Sequence, residues 1–417
     1  MDKQELIDLT LEICNIDSAG PHEGLVAEAV HKWLIAEGFE ARLAGLLPDR
    51  PNVIGTLRGS GGGCSLLFNS HMDTAVQASD VWVHRRPDAP VYHSAWVEGD
   101  DLVGEGVVND KGPMAAFLIA AKAVKSLGVQ LPGDLLLTAV VGETSHEPVH
   151  GVGGVGESAE GGARFLVTHG GVADYVIVAE GTGFSIVSLE AGMAWFKVTW
   201  LSDQVSFYTP YLPDRGDPLA SPNMIVRAAA ATLALEDWAA EYTRKYTREY
   251  GPDLMIPKAQ VAAIRGGDPT APIMSPQICS LYLGAFIPPD LSPLDLRDDF
   301  LSALSQAGIP APEVQLYLYR RGYQASGNDL LRESLLKAHI AVVGTPPPPP
   351  NPATSSMWRD INVFSEMGIP ALTYGPRSES HSYRRAFPID ALYKAARVYA
   401  RTIVDVCHQP RTRNTSP

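Results

Sequence analysis

The chain has 417 residues, 45% of them hydrophobic and 19% charged, with a formal net charge of −14. Its length suits a large core divided over two domains, and the acidic balance argues against nucleic acid or an anionic membrane as partner, since either demands clustered Lys and Arg. Small molecules and metal ions are the expected partners. Cys14, Cys64, Cys279 and Cys407 lie far apart with no paired spacing, which indicates neither a zinc knuckle nor a disulfide framework and points to a reducing cytoplasm. No run reaches the roughly 20 apolar residues of a membrane span, and the first residues carry acidic side chains that a secretory signal avoids.

Taken in chain order, EGLVAEAVHKWLIAEGF predicts a helix with Leu25, Ala29, Trp33 and Leu34 on one face. SLLFNS predicts a strand, KGPMAAFLIAAKAVKSLG a long apolar helix, and GDLLLTAVV and ADYVIVAE two further strands. Strands apolar on both faces suit a sheet covered by helices on each side, so the fold class expected is α/β with a mostly parallel core. From about Gly192 the texture changes. MAWFKVTWL reads as a half-exposed strand, SPNMIVRAAAATLALEDWAAEY as an amphipathic helix, QICSLYLGAFIPP as a strand and LDLRDDFLSALSQAG as a helix, a pattern that predicts a small inserted α+β domain. GNDLLRESLLKAHIAVVG, IPALTYGP and IDALYKAARVYARTIVDVC return to the core pattern. The predicted division is 1–190 and 315–417 for the core domain and 191–314 for the insertion. The proline run Pro346 to Pro350 predicts a stiff surface loop.

The strands end in ionisable groups. His71 follows SLLFNS, Glu143 follows DLLLTAVVG, Glu180 closes ADYVIVAE and His381 comes shortly after IPALTYGP. In open α/β sheets ligands bind at the carboxyl ends of strands, so these positions can converge on one site. Asp110, in GEGVVNDKGPMAAF, adds a carboxylate just before a helix, where it can also serve as a simple cap. Two imidazoles and three carboxylates are the donors used for zinc, manganese or cobalt.

The ordered series SHMDT, GEGVVNDKGPMAA, a glutamate at position 143, VIVAEGTG and GPRSESH resembles the metallohydrolases that include aminoacylase, acetylornithine deacetylase, succinyl-diaminopimelate desuccinylase and glutamate carboxypeptidase. The resemblance covers nearly the whole chain and implies a zinc-peptidase-like core with an inserted lid and dimerisation domain, hence a homo-oligomer. It implies a hydrolase acting on C–N bonds of a small molecule with a divalent metal. His71, Asp110 and Glu180 would hold the first ion, Asp110 and His381 the second, Asp73 would orient the His71 ring, and Glu143 would be the general base. Gly104, Gly106 and Gly112 would let the backbone turn closely around Asp110.

The sequence departs from the family at three places. The family pairs two glutamates at the base position, the second a metal ligand, whereas here VVGETSHEP puts Thr144 there. One firmly held ion is therefore expected, or else recruitment of His146 or Glu147; an alternative register makes Glu143 the ligand and leaves no base. The lid histidine of the family is replaced near Ser206, in WLSDQVSFYTP, and the arginine that grips a substrate carboxylate is replaced by Phe286. Phe207, Tyr208, Tyr211 and Phe286 read either as lid core or as a pocket for a flat substrate. Three functions stand: an amide-type hydrolase of a carboxylate-bearing molecule, an aminohydrolase of an aminobenzoate such as a nitroanthranilate, which the resemblance also implies because the family includes one, and a non-catalytic binding relative.

Overall fold

The strand Leu66–His71 is buried at all six positions and sits inside the sheet of the larger unit. Its Phe68 stacks on Phe117 of the helix Lys111–Ser126 at 5.5 Å and meets Tyr399 of the helix Ile389–His408 edge-on at 5.1 Å. Burial of aromatic rings of this size is worth several kcal/mol each, about 3–5 kcal/mol when such a ring is truncated to alanine. The computed structural model describes residues 1–144, 147–149, 161–214, 216–251, 253–376 and 385–411.

The six-stranded sheet has the spatial order Glu40–Leu47, Arg50–Leu57, Leu135–Val140, Leu66–His71, Tyr175–Val178 and Ala371–Thr373. The last four run parallel to one another, while the first two form an antiparallel hairpin on the edge. Register is what sets the site. Asn69 pairs with Val178 and His71 with Val140, so the chain leaves the sheet at His71 and at Glu180 on the same level. Parallel neighbours put their carboxyl ends side by side, which is why separated sequence positions arrive at one place.

The chain divides into two units: Met1–Ser188, Ala325–Asn351 and Arg359–Pro417 form one, and Leu189–Gln324 with Pro352–Trp358 the other. The return to the larger unit was expected near residue 315 and lies at Ala325, because the strand Glu313–Arg320 pairs with Gly192–Leu201 inside the smaller unit. That unit holds an antiparallel sheet in the order Ala259–Gly266, Ile278–Ile287, Gly192–Leu201 and Glu313–Arg320. Alternate residues of Gly192–Leu201 are buried, and Phe196 packs edge-on against Phe300 of the helix Pro293–Gln306 at 5.2 Å. The helix Met224–Tyr246 adds Trp238 and Tyr242 to the same core.

Two expectations are corrected. In the helix Gly24–Ala36 the buried positions are Val26, Ala27, Val30 and Leu34, while Leu25 is 66% exposed. The apolar face is thus rotated by about one residue from the predicted one, and Trp33, half-buried, packs beside Phe39 instead. Tyr208 and Tyr211 do not enter the lid core, being 46% and 75% exposed. The run Pro346 to Pro350 forms a largely exposed loop, as expected. All four cysteines are buried and free. Among the described residues no helix is long and apolar enough to cross a membrane.

The fold around the site requires glycine at Gly104, whose φ is 147°, and at Gly112. A Cβ built on Gly112, in the first turn after Asp110, meets the Val107 carbonyl oxygen at 2.2 Å, which no side-chain movement relieves because the neighbour is backbone. Gly112→Ala is expected to destabilise the larger unit by about 1–3 kcal/mol, the usual range for forced overpacking. Urea unfolding of the two proteins checks this, since a midpoint unchanged from wild type means the helix start has room that the geometry denies.

Candidate metal centre

His71 ends its strand with both ring nitrogens inside the protein. Nδ1 lies 2.9 Å from the Asp73 carbonyl oxygen, which can only accept, so Nδ1 carries the proton in the neutral ring and the lone pair sits on Nε2. Sequence reasoning gave Asp73 the task of orienting this ring, and the structure divides that task. The backbone carbonyl of Asp73 fixes the tautomer, with one carboxylate oxygen 3.5 Å from Nδ1. The same carboxylate accepts from the Glu143 N–H at 3.0 Å, the Thr144 N–H at 2.6 Å and the Thr144 hydroxyl at 2.7 Å. Asp73 therefore fastens the loop that carries Glu143 to the strand end that carries His71.

Asp110 occupies the N-cap position of the helix Lys111–Ser126 but makes no side-chain cap hydrogen bond. Its Oδ2 instead accepts from the Ser70 hydroxyl at 2.7 Å. Glu180 has its Oε2 held by Arg359 Nε in a buried ion pair. In each of the three residues one polar atom is thus engaged by protein, and the other is left over. His71 Nε2, Asp110 Oδ1 and Glu180 Oε1 are all buried without a hydrogen-bond partner among the described residues. These three side chains also form a group whose ligand atoms lie within 4.8 Å of one another. Buried polar atoms without partners are rare and costly, about 1–3 kcal/mol each and more for charged groups. Three such residues gathered this closely fit a divalent cation with mixed nitrogen and oxygen donors.

The electrostatics agree. Burial, joined by the charge of Glu180, lifts the Asp110 carboxyl well above its ordinary range. Burial also pushes Glu143 up to about 8 and Asp360 up to about 7, with Glu180 adding to both. For His71, burial disfavours the charged ring, but the hydrogen bond with Asp73 and the carboxylates of Glu143, Asp73 and Asp110 outweigh it and raise the imidazole well above 6.5. Asp73 is pulled the other way: burial is outweighed by His71 and the Thr144 hydrogen bonds, and the carboxyl is held below its usual range. Carboxylates buried together in this way hold protons tightly, and a bound dication would favour their ionised forms.

Glu143 Oε2 lies 3.8 Å from His71 Nε2, next to the unpartnered atom yet outside the group of three. Thr144, which replaces an anionic ligand of the family, spends its hydroxyl on Asp73. His146 and His381 lie outside the described residues. Ser206 and Phe207 belong to the smaller unit, where the Ser206 hydroxyl donates to the Ser275 carbonyl at 2.6 Å and the Phe207 N–H to the Ser275 hydroxyl at 2.8 Å. Phe286 lines a cavity of about 550 Å³ in that unit together with Trp195, Tyr282, Tyr317 and Lys258.

Sequence reasoning missed four residues of the centre. Ser70 directly precedes His71, and Lys111 directly follows Asp110; Lys111 is buried and donates to the Ile16 carbonyl and the Ser18 hydroxyl, both at 2.9 Å. Ser18 in turn donates to the Met72 carbonyl at 2.7 Å, which ties the helix start to the strand end. Arg359 and Asp360 are adjacent and buried, with Asp360 accepting from the Asn69 amide at 2.9 Å. Their only signal in sequence is a pair of opposite charges before the short, mostly apolar INVF.

A family model described as Peptidase family M20/M25/M40 matches residues 67–405. The chain belongs to this family. Over 185 residues it is 30% identical to an N-formyl-4-amino-5-aminomethyl-2-methylpyrimidine deformylase of Bacillus subtilis (strain 168), covering 43% of this chain and 39% of that protein. It is 31% identical over 199 residues to carboxypeptidase G2 of Pseudomonas sp. (strain RS-16), covering 46% of this chain and 42% of the relative. The matches thus span about two fifths of the length of these curated relatives. In three dimensions it resembles a tripeptidase from Staphylococcus aureus with a TM-score of 0.69 at 18% identity, covering 98% of this chain and 100% of the other, a likeness that shows the fold.

His71→Ala removes the nitrogen donor and leaves two crowded carboxylates with no imidazole. Metal retained after dialysis, read by elemental analysis, is expected to fall to background in this variant while the wild type keeps it. Full retention in His71→Ala contradicts the assignment of the three-residue site.

Proposed function

We propose that the chain is a divalent-metal-dependent hydrolase that cleaves an amide-type C–N bond of a small, carboxylate-bearing molecule. The observation that carries this reading is the convergence of three unpartnered buried donor atoms, from His71, Asp110 and Glu180, with the carboxylate of Glu143 alongside. The relatives support it, one being named as a deformylase of an N-formyl compound and another as a carboxypeptidase. Zinc, manganese or cobalt held by the three residues would polarise a carbonyl and bring the pKa of water from 15.7 toward about 7.

The protein's own residues supply the rest. Glu143 accepts the proton of the attacking water and returns it to the departing nitrogen, a use that suits a carboxylate placed 3.8 Å from the His71 donor atom. Asp73 holds the Glu143 backbone and the His71 ring in one arrangement, so base and donor atom keep their spacing. A single tightly held ion is the expected stoichiometry. Thr144 is committed to Asp73, and the second oxygen of Asp110, which a bridging role needs, is engaged by Ser70.

A second reading is an aminohydrolase acting on an aminobenzoate such as a nitroanthranilate. The smaller unit by itself holds a cavity, lined by Trp195, Tyr282, Tyr317 and Phe286 with Lys258, whose chemistry suits a flat ring bearing a negative charge. A panel of N-acyl amino acids and aminobenzoates separates the two, by release of amino acid or of ammonia; no turnover with any metal supports a binding role. We also propose self-association through the smaller unit, whose strand Ala259–Gly266 is an exposed sheet edge, and residence in the cytoplasm, which the four unpaired thiols suit.

Glu143→Gln keeps the shape of the side chain and removes the proton acceptor. The chemical step is expected to slow by roughly 10²–10⁴-fold at unchanged metal content. Parallel loss of metal and rate, reversed by excess cation, makes Glu143 a ligand instead. One equivalent of metal per chain is expected after dialysis of the wild type, and Ser70→Ala, which frees Asp110 Oδ2, is expected to raise the second equivalent's occupancy at high free metal. Two tight equivalents in the wild type show that another group completes a second site.

A further inference from the structure

Arg359 places a full positive charge against one of the three donors of the centre. The side chain is buried, and its Nε pairs with Glu180 Oε2 while Glu180 Oε1 remains without a partner. Such a contact is unexpected if the three residues serve only to bind a cation as tightly as they can, because a guanidinium held against one donor repels any cation that the donor binds. The guanidinium is also permanently charged and geometrically rigid, so it neither gives up its proton nor reorients easily when a dication arrives.

We propose that Arg359 is a positioning residue that makes Glu180 a single-oxygen ligand and lowers the charge of the centre. The inference rests on the metal-hydrolase reading given above. With Asp110 and Glu180 ionised and His71 neutral, the three donors carry two negative charges; Arg359 reduces the local sum to one. The remaining carboxylates, Asp73, Glu143 and Asp360, are the same with or without the arginine, so the difference is one unit of charge. A dication held in this environment keeps more of its own charge, which strengthens its pull on a carbonyl oxygen at the expense of affinity. Occupation of Oε2 by the guanidinium also prevents Glu180 from closing around the ion with both oxygens, which leaves room for water and substrate.

The test uses affinity and coordination, not turnover. Zinc and manganese dissociation constants are measured by chelator competition for the wild type, Arg359→Met and Arg359→Lys, with circular dichroism and thermal melting to confirm folding. Arg359→Met is expected to bind both ions at least tenfold more tightly, and Arg359→Lys, which keeps the charge, within about threefold of the wild type. A merely structural arginine gives the opposite sign, since its loss disorders Glu180 and weakens binding; unchanged or weaker binding in folded Arg359→Met overturns the inference. X-ray absorption of the zinc-loaded wild type decides independently of whether the methionine variant folds. One imidazole and single-oxygen carboxylates are expected, and a carboxylate bound through both oxygens overturns the assignment. Absence of any metal at the three donors fails the hydrolase reading itself, whereas normal binding that does not respond to Arg359 fails this inference alone.

Discussion

Negative charge gathered in a buried place is the constraint on which the centre depends. Asp110, Glu143 and Asp360 all have raised proton affinities, and burial is the first cause in each. The fold brings these carboxylates together, although water would solvate each of them far better apart. Such an arrangement persists where something else repays it, and the unpartnered atoms of His71, Asp110 and Glu180 mark where the repayment enters. Local stability is given up in this way at many functional sites, where it leaves a prepared place for a ligand.

The scaffold around this point works mainly by restricting choices. Parallel register brings His71 and Glu180 to the same level, and the strand end at Val140 delivers Glu143 next to them. Each donor then has one atom tied back: the imidazole to the Asp73 carbonyl, Asp110 to Ser70, Glu180 to Arg359. What remains is a set of single atoms with fixed direction. Outer contacts of this kind commonly tune metal affinity by one to two orders of magnitude, so the surrounding residues matter as much as the donors themselves.

Much of this was legible in the sequence. The strands around His71, Glu143 and Glu180 are short apolar runs that end in an ionisable group, and nothing but a sheet with convergent strand ends explains that repetition economically. The alternating burial of MAWFKVTWL was equally plain. Other features were hidden for physical reasons. The edge hairpin Glu40–Leu57 lacks a clear apolar period on its exposed strand, and Ala259–Gly266 is an exposed edge that offers none. The return boundary was misplaced because Glu313–Arg320 alternates like a strand of either domain, and only pairing with Gly192–Leu201 assigns it. Ser70, Arg359 and Asp360 act through contacts across long sequence separations, Asn69 to Asp360 and Glu180 to Arg359, which no local pattern encodes.

The most direct measurement of the central claim is anomalous X-ray diffraction from crystals grown with manganese or zinc. The account predicts an anomalous peak within coordination distance of His71 Nε2, Asp110 Oδ1 and Glu180 Oε1, with Glu143 close to the ion but not bound to it. A peak elsewhere, or no peak at these three atoms at saturating metal, contradicts it.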